Sequence, residues 1–323
     1  MELKKFIGKS GFVLAVSSAL LVTACNKDDN SSDPTPTDNT ITGVVVASAD
    51  FSTLKDAVIK ADLQTTLSGA GPFTVFAPDN AAFTASGIDN AALASLTADQ
   101  VKAILLYHTL PAKVMAADVP AGPNAKVTTA GGDSVFVTKN ANGVFVNGVK
   151  VTQADISASN GVIHRIGRVL LPPAGNIVET AVAAGLDSLV KAVTLATTEP
   201  GGDPNLAQTL STATLTVFAP TNQAFTQLLG NLGLSKLEDI PVATLLAVLQ
   251  YHVVGGRAFS SDLANGNLAM LANGNTTVGL TDGTNGGPTI TGNGNAGAKS
   301  NIIATNIVCR NGVVHLIDRV LLP

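Results

Sequence analysis

Reactive side chains are scarce in this sequence, and they recur in pairs. Its 323 residues hold four histidines, two tyrosines and two cysteines. Tyr107-His108 is answered by Tyr251-His252, and His164 by His315. A Tyr-His pair offers two chemistries: a polar contact for a partner, or hydrogen bonds that satisfy buried backbone groups between a helix and a sheet. Asp155, His108 and Ser157 are of the right types for an acid-base-nucleophile triad, yet no Gly-x-Ser-x-Gly elbow accompanies them. His164 and His315 lie in β-branched runs without His-x-x-x-His, Cys-x-x-Cys or an acidic loop, so hydrogen-bonded core histidines are expected and no metal site. Neither a catalytic residue nor a cofactor is expected.

The elements that must position these residues are themselves duplicated. Thr74–Phe83 reads TVFAPDNAAF and Thr216–Phe225 reads TVFAPTNQAF; Asn160–Pro172 reads NGVIHRIGRVLLP and Asn311–Pro323 reads NGVVHLIDRVLLP. The Tyr-His pair lies between the two motifs each time, so one unit has been copied in tandem, over 41–173 and 174–323. The second copy carries extra residues within Thr197–Thr214 and within the Gly-, Asn- and Thr-rich stretch Asn273–Ala298, both expected as surface loops. Apolar residues at three-and-four spacing predict a helix over Phe51–Leu63, repeated over Leu186–Leu195. Thr74–Ala77 predicts a short strand stopped by Pro78. Asp79 and Asn80 then cap a helix through Phe83, as do Thr221 and Asn222 in the second copy. Thr97 or Asp99 starts the helix that ends at Tyr107-His108. Val135–Val137 and Val144–Val146 predict a hairpin, Asn147-Gly148 and Asn160-Gly161 two turns, and Val162–Leu171 a buried strand.

Hydrophobic residues make up 46% of the chain and charged ones 13%, enough for well-buried cores and too little charge for disorder. With Lys+Arg 19 against Asp+Glu 23 there is no basic surface for a nucleic acid. The absence of Trp argues against stacking on sugars. Lys4, Lys5 and Lys9 precede an uncharged run from Gly11 to Ala24 that is short of the ~20 residues a spanning helix needs, so residues 1–24 read as a signal peptide. Val22-Thr23-Ala24-Cys25 resembles a lipobox, which implies that Cys25 is lipidated and holds the protein to a membrane through acyl chains. Asn26-Lys27-Asp28-Asp29 resembles the lysine-acid-acid signal that sends lipoproteins to the outer face of the outer membrane. Residues 25–40 then read as a lipidated cysteine and an unfolded polar tether. That leaves Cys309 without a partner, as a small, partly buried hydrophobe.

The duplicated motifs resemble the fasciclin (FAS1, βig-h3-like) domain family over nearly all of Thr42–Pro323. The resemblance implies an α+β fold: two tandem domains, each a β-wedge or sandwich with several packed helices, in an extracellular or surface-attached protein with no catalytic role; joined to the lipobox-like and lysine-acid-acid segments, the expectation is a surface-exposed outer-membrane lipoprotein. It also implies adhesion or the binding of an extracellular protein or polysaccharide. By the same resemblance Tyr107, His108, Tyr251 and His252 are candidate binding residues. So are Asp155 and Ile156, whose second-copy counterparts are Asn306 and Ile307 and lack the carboxylate. The alternative function implied by the resemblance is that of a carrier of an apolar small molecule such as a carotenoid.

Overall fold

The computed structural model describes residues 38–272 and 274–323. The expected signal peptide, Cys25 and most of the tether lie outside them. In the first copy the elements run α1 (Ile41–Ala47), α2 (Ser52–Lys60), α3 (Gln64–Ser68), β1 (Phe73–Pro78), α4 (Asn80–Ala85), α5 (Asn90–Ser95), α6 (Ala98–Tyr107), β2 (Thr109–Leu110), β3 (Gly122–Thr128), β4 (Ser134–Asn140), β5 (Gly143–Val146), β6 (Val149–Ala158) and β7 (Gly161–Ile166). The second copy gives α7 (Ile177–Ala183), α8 (Asp187–Thr198), α9 (Leu206–Thr212), β8 (Leu215–Pro220), α10 (Asn222–Leu232), α11 (Val242–Gln250), β9 (Val253–Gly255), β10 (Gly266–Met270), β11 (Gly274–Gly279), β12 (Thr289–Thr291), β13 (Ser300–Cys309) and β14 (Gly312–Ile317).

Each copy builds one seven-stranded sheet with the same topology, β2-β1-β7-β6-β5-β4-β3 in the first and, written in the same sense, β9-β8-β14-β13-β12-β11-β10 in the second. The two duplicated motifs are its centre. β1 pairs with β7 in parallel, placing Phe76 beside His164, and β8 pairs with β14 so that Phe218 stands beside His315. Successive side chains of a strand face opposite ways. Val75 and Ala77 therefore join the helices in one core with Phe51, Leu54, Phe83 and Leu105. Phe76 joins Tyr107, Val135, Val146 and Ile166 in another. The architecture is thus α+β, with helices on one face of the sheet and the sheet folded over a second core on the other.

The motif residues have identifiable jobs. Asn160 accepts from the Ile41 N–H and donates through Nδ2 to the carbonyls of Leu67 and Gly69, tying α1 and α3 to the start of β7. Asn311 does the same for Ile177, Leu210 and Ala213. The glycine after each asparagine has no room for a side chain: a Cβ on Gly161 would stand 2.1 Å from the Phe73 carbonyl oxygen, and one on Gly312 equally close to that of Leu215. Asn80 accepts from the Thr53 N–H and donates to the Ala49 carbonyl, pinning the start of α2 against α4, and Asn222 repeats this with Ser188 and Gly185. Caps follow the sequence. Asp79 accepts from the Ala82 N–H, Thr221 from that of Ala224, and Thr97, not Asp99, forms a capping box with Gln100.

Several elements differ from expectation. The helix read as Phe51–Leu63 ends at Lys60, because Asp62 takes φ 52° and Leu63 turns in to open α3. The closing strand stops at Ile166 rather than Leu171; Gly167 still donates to Lys150 of β6, and past it the Leu170 N–H goes to His108 instead of to a strand. The two insertions are not plain loops. Thr197–Thr214 contains the end of α8 and all of α9, and Asn273–Ala298 contributes β11 and β12 to the sheet. Polar Thr and Asn at alternate positions hid these strands, since Val278 and Ile290 alone among them bring apolar side chains to the core, beside a buried Thr276, while Thr289 is buried on the opposite face.

Candidate functional site

The Tyr-His pair terminates α6 in one domain and α11 in the other, and all four side chains are 1–2% exposed. His108 Nδ1 lies 2.8 Å from the Ile104 carbonyl, one helical turn back, and Nε2 accepts from the Leu170 N–H at 2.9 Å. That assignment fixes the tautomer with the proton on Nδ1. His252 repeats it with Val248 and Leu321. Burial pushes both imidazoles down to about 4, so they are neutral at physiological pH. Tyr107 Oη donates to the Ser134 carbonyl and accepts from Asn147 Nδ2, and burial drives its pKa up to about 12. Tyr251 donates to the Asn275 carbonyl. Each pair therefore staples the last turn of a helix to the closing segment and to the sheet, and neither offers a polar atom to solvent.

The second histidine pair organises a different corner. In each domain the loop after β2 or β9 is hung on the motif threonine: Thr74 Oγ1 donates to the Ala112 carbonyl and accepts from Val114 N–H, as Thr216 does with Gly256 and Ala258. His164 Nε2 bonds the Val114 carbonyl while Nδ1 accepts from the Asp155 N–H. His315 makes the equivalent contacts to Ala258 and Asn306, and burial lowers its pKa to about 4. Asp155 and Asn306 sit at bulges in β6 and β13 with φ 60° and 64°, a conformation Asp and Asn tolerate better than most residues. The side chain of Asp155 accepts from the Ala116 N–H, and that of Asn306 from the Ser260 N–H. Ile156 is half-buried and packs on the helix-side core.

Chemistry of the triad type is not assembled. Both nitrogens of His108 are taken by the backbone, and Asp155 lies beside His164 instead. Among the described residues no group of three or more His, Cys, Asp or Glu is placed to hold a metal, and no helix is long and apolar enough to cross a membrane. Cys309 is buried, its thiol 3.2 Å from Thr180 Oγ1 and raised in pKa by burial.

The domains differ in what covers this corner. In the second, the loop Arg257–Asp262 is overlaid by the outer face of β3 and β4 from the first domain. Phe136 lies against Phe259 and under the Arg257 guanidinium, 4.2 Å from ring centroid to Cζ. Asn124 donates to the Arg257 carbonyl, Thr138 to the Asp262 carboxylate and Asn140 to the Ser261 carbonyl. Arg257 also donates to the carbonyls of Cys309, Arg310 and Gly312. The matching surface of the first domain carries Lys113 for Arg257 and Met115 for Phe259. There Lys113, Ala117 and Asp118 are exposed and Asp155 is half-buried. Here the Lys139 ammonium of β4 caps the Ala116 and Ala117 carbonyls of the loop. Lys113 and Arg257, like Met115 and Phe259, stand at the same distance from their Tyr-His, so the equivalence of the two corners was legible in the sequence, though not what covers the second.

Comparison with known proteins agrees with the duplicated fold. The model of the Fasciclin domain matches residues 49–172 and 191–323. Protein sll1483 of Synechocystis sp. is 46% identical over 141 residues, covering 42% of this chain and 77% of that protein. The transforming growth factor-beta-induced protein ig-h3 of Sus scrofa is 35% identical over 140 residues, 43% of this chain but only 20% of its own length. Human periostin is 30% identical over 129 residues, with 15% of its length covered. Among solved structures, a FAS1 domain pair from the insect cell adhesion molecule fasciclin I aligns with 85% of this chain and 97% of its own at 17% identity and a TM-score of 0.36. With both copies matched by one family model, and with the shared motifs forming the centre of each sheet, this chain belongs to the fasciclin domain family.

Proposed function

We propose that this protein is a non-catalytic adhesion module that binds an extracellular protein through the first-domain surface around Lys113, Met115, Ala117 and Asp155. One observation carries the reading: the same surface of the second domain already holds a protein partner, namely the β3–β4 face of the first domain. A partner that fits the free copy offers a twisted sheet face with an aromatic ring for the cation at position 113 and short polar side chains for the loop backbone. Fasciclin family membership supports the adhesive class. The lipobox-like segment at Cys25 supports a lipid-anchored, outer-membrane placement with the domains displayed outward. Under this reading the Tyr-His pairs support the contact surface from below without touching the ligand.

The test is binding of the full chain to arrays of matrix proteins and glycans, repeated with Lys113→Glu and with Ala117→Arg. Both side chains are exposed, so folding is retained. Loss of binding in both variants with unchanged Tm is expected; binding that is indifferent to both overturns the surface. A hit confined to glycans replaces the protein ligand by a polysaccharide. Protease shaving of intact cells, with mass spectrometry of the N-terminal peptide, tests the placement.

A further inference from the structure

The helix-side core of the second domain contains a cavity of about 280 Å³, bounded by α7, α8, α9 and β8. The first domain has the same site, bounded by matching residues such as Val58 for Val193 and His108 for His252, but there the void shrinks to about 10 Å³. Two differences account for the contrast. Val45 of α1 is replaced by Ala181 in α7, which removes side-chain volume from the wall. In addition, α8 has 12 residues where α2 has 9, close to one further helical turn, and the chain reaches α9 only after a turn over Glu199–Asp203. In the first domain α2 stops early, and Leu63 and Leu67 drop directly onto the core.

The wall chemistry defines what the space can hold. No Lys, Arg, Asp or Glu borders it. Its hydroxyls are spent within α8: Thr194, Thr197 and Thr198 donate to the carbonyls of Val190, Val193 and Thr194. His252 has both ring nitrogens committed to backbone and turns only its ring toward the cavity. With the hydroxyl protons used up inside the helix, water gains little in such a site, and its apolar wall favours an apolar guest. The mouth is open, since Thr194 is exposed and Val190, Val193 and Thr197 are half-buried.

We infer that the second domain has a binding site for a compact, uncharged, apolar molecule between α7, α8 and α9, and that the first domain fills the same site with its own side chains. At ~30 Å³ per water-sized unit, the 280 Å³ cavity accepts a guest of about nine non-hydrogen atoms. A carotenoid is too large to be enclosed. A short aliphatic chain or a single substituted ring fits. This site lies on the helical face of the sheet and is independent of the adhesive surface, so either can fail alone.

The experiment uses the full chain with methyl labelling and n-butylbenzene as probe, with protonated 4-phenylbutylamine as the charged control. Saturable shifts of the Val178, Val190 and Val193 methyl groups, with Val45 and Val58 unmoved, are expected, together with a probe-dependent rise in Tm. Ala181→Val, which copies the first domain, is expected to fold and to weaken binding by about tenfold or more. Because the methyl readout uses the unmodified protein, it stands even if the variant misfolds. No saturable shift, equal shifts in both domains, or equal binding of the amine overturns the site. Concentration-dependent dimerisation that is abolished by Ala181→Val and competes with the probe would assign the cavity to a second copy, and that outcome also overturns it.

Discussion

Asn306 holds in the second domain the place that Asp155 holds in the first: each donates its backbone N–H to a histidine Nδ1 and accepts a loop N–H on its side-chain oxygen. The shared requirement is an oxygen acceptor on a residue that tolerates positive φ, and a negative charge is not part of it. Asp155→Asn is therefore expected to change the unfolding free energy by less than about 0.5 kcal/mol, whereas Asp155→Ala loses the bond and strains the backbone, at about 1–2 kcal/mol. Urea titration of both variants checks this. A destabilised Asn variant would mean that the carboxylate acts through its charge.

The Tyr-His pairs are structural staples, and their variants should fail in folding before they fail in binding. Tyr107→Phe leaves the Ser134 carbonyl and the Asn147 amide each short of a buried partner, at about 1–3 kcal/mol. His108→Ala strands the buried Leu170 N–H and opens a void, which costs more, on the order of 3 kcal/mol. Denaturation curves alongside binding measured at equal folded fraction separate the two roles; weaker binding by fully folded protein would restore Tyr-His as a contact.

Acid should unfold this protein through its histidines. His108, His252 and His315 have folded pKa values near 4 against an ordinary value of about 6.5, so above 6.5 both folded and unfolded forms are neutral and stability is complete. As pH falls from 6.5 toward 4, only the unfolded chain takes up protons, and stability drops by up to about 1.4 kcal/mol per pH unit for each histidine. Unfolding free energies measured across pH 8 to 4 should show this fall. A flat profile over that window would mean that the three rings are accessible to protons in the native state.

Arg257 ties the domains together, and a lysine should not replace it. Its planar guanidinium donates to three backbone carbonyls while stacking on Phe136, a combination a lysine ammonium cannot reproduce. Arg257→Lys and Phe136→Ala are each expected to cost about 1–2 kcal/mol of coupling between the domains. Limited proteolysis at residues 173–176 and small-angle scattering report the loosening, and an unchanged cleavage rate in both variants would refute the coupling.

Much of the fold was legible because the duplication let each half annotate the other. The motif strands, the Asp79 and Thr221 caps and the buried histidines follow from residue type and spacing. What spacing could not supply is distance. Nothing in Asn160-Gly161 beyond a turn signal says that the asparagine clamps two helices, or that the glycine is required by a carbonyl 2.1 Å from where its Cβ would be. β11 and β12 escaped because Asn and Gly are poor strand formers and interrupt the Thr, Val and Ile between them, and here tertiary pairing overrides them. The interdomain contact was invisible for a further reason: it joins Phe136 to Arg257, a relation between the two copies that internal comparison of the repeats cannot reveal.

Because one sheet face of the first domain is spent on its own neighbour, the described residues leave one copy of the corner, the one near Asp155, without that covering. If that corner is the adhesive surface proposed above, each chain contributes one contact. Its grip on a distant surface would have to come from avidity, with many copies crowded side by side so that weak individual contacts add through high local concentration. Surface density, more than the strength of any one contact, would then set how firmly a cell holds on.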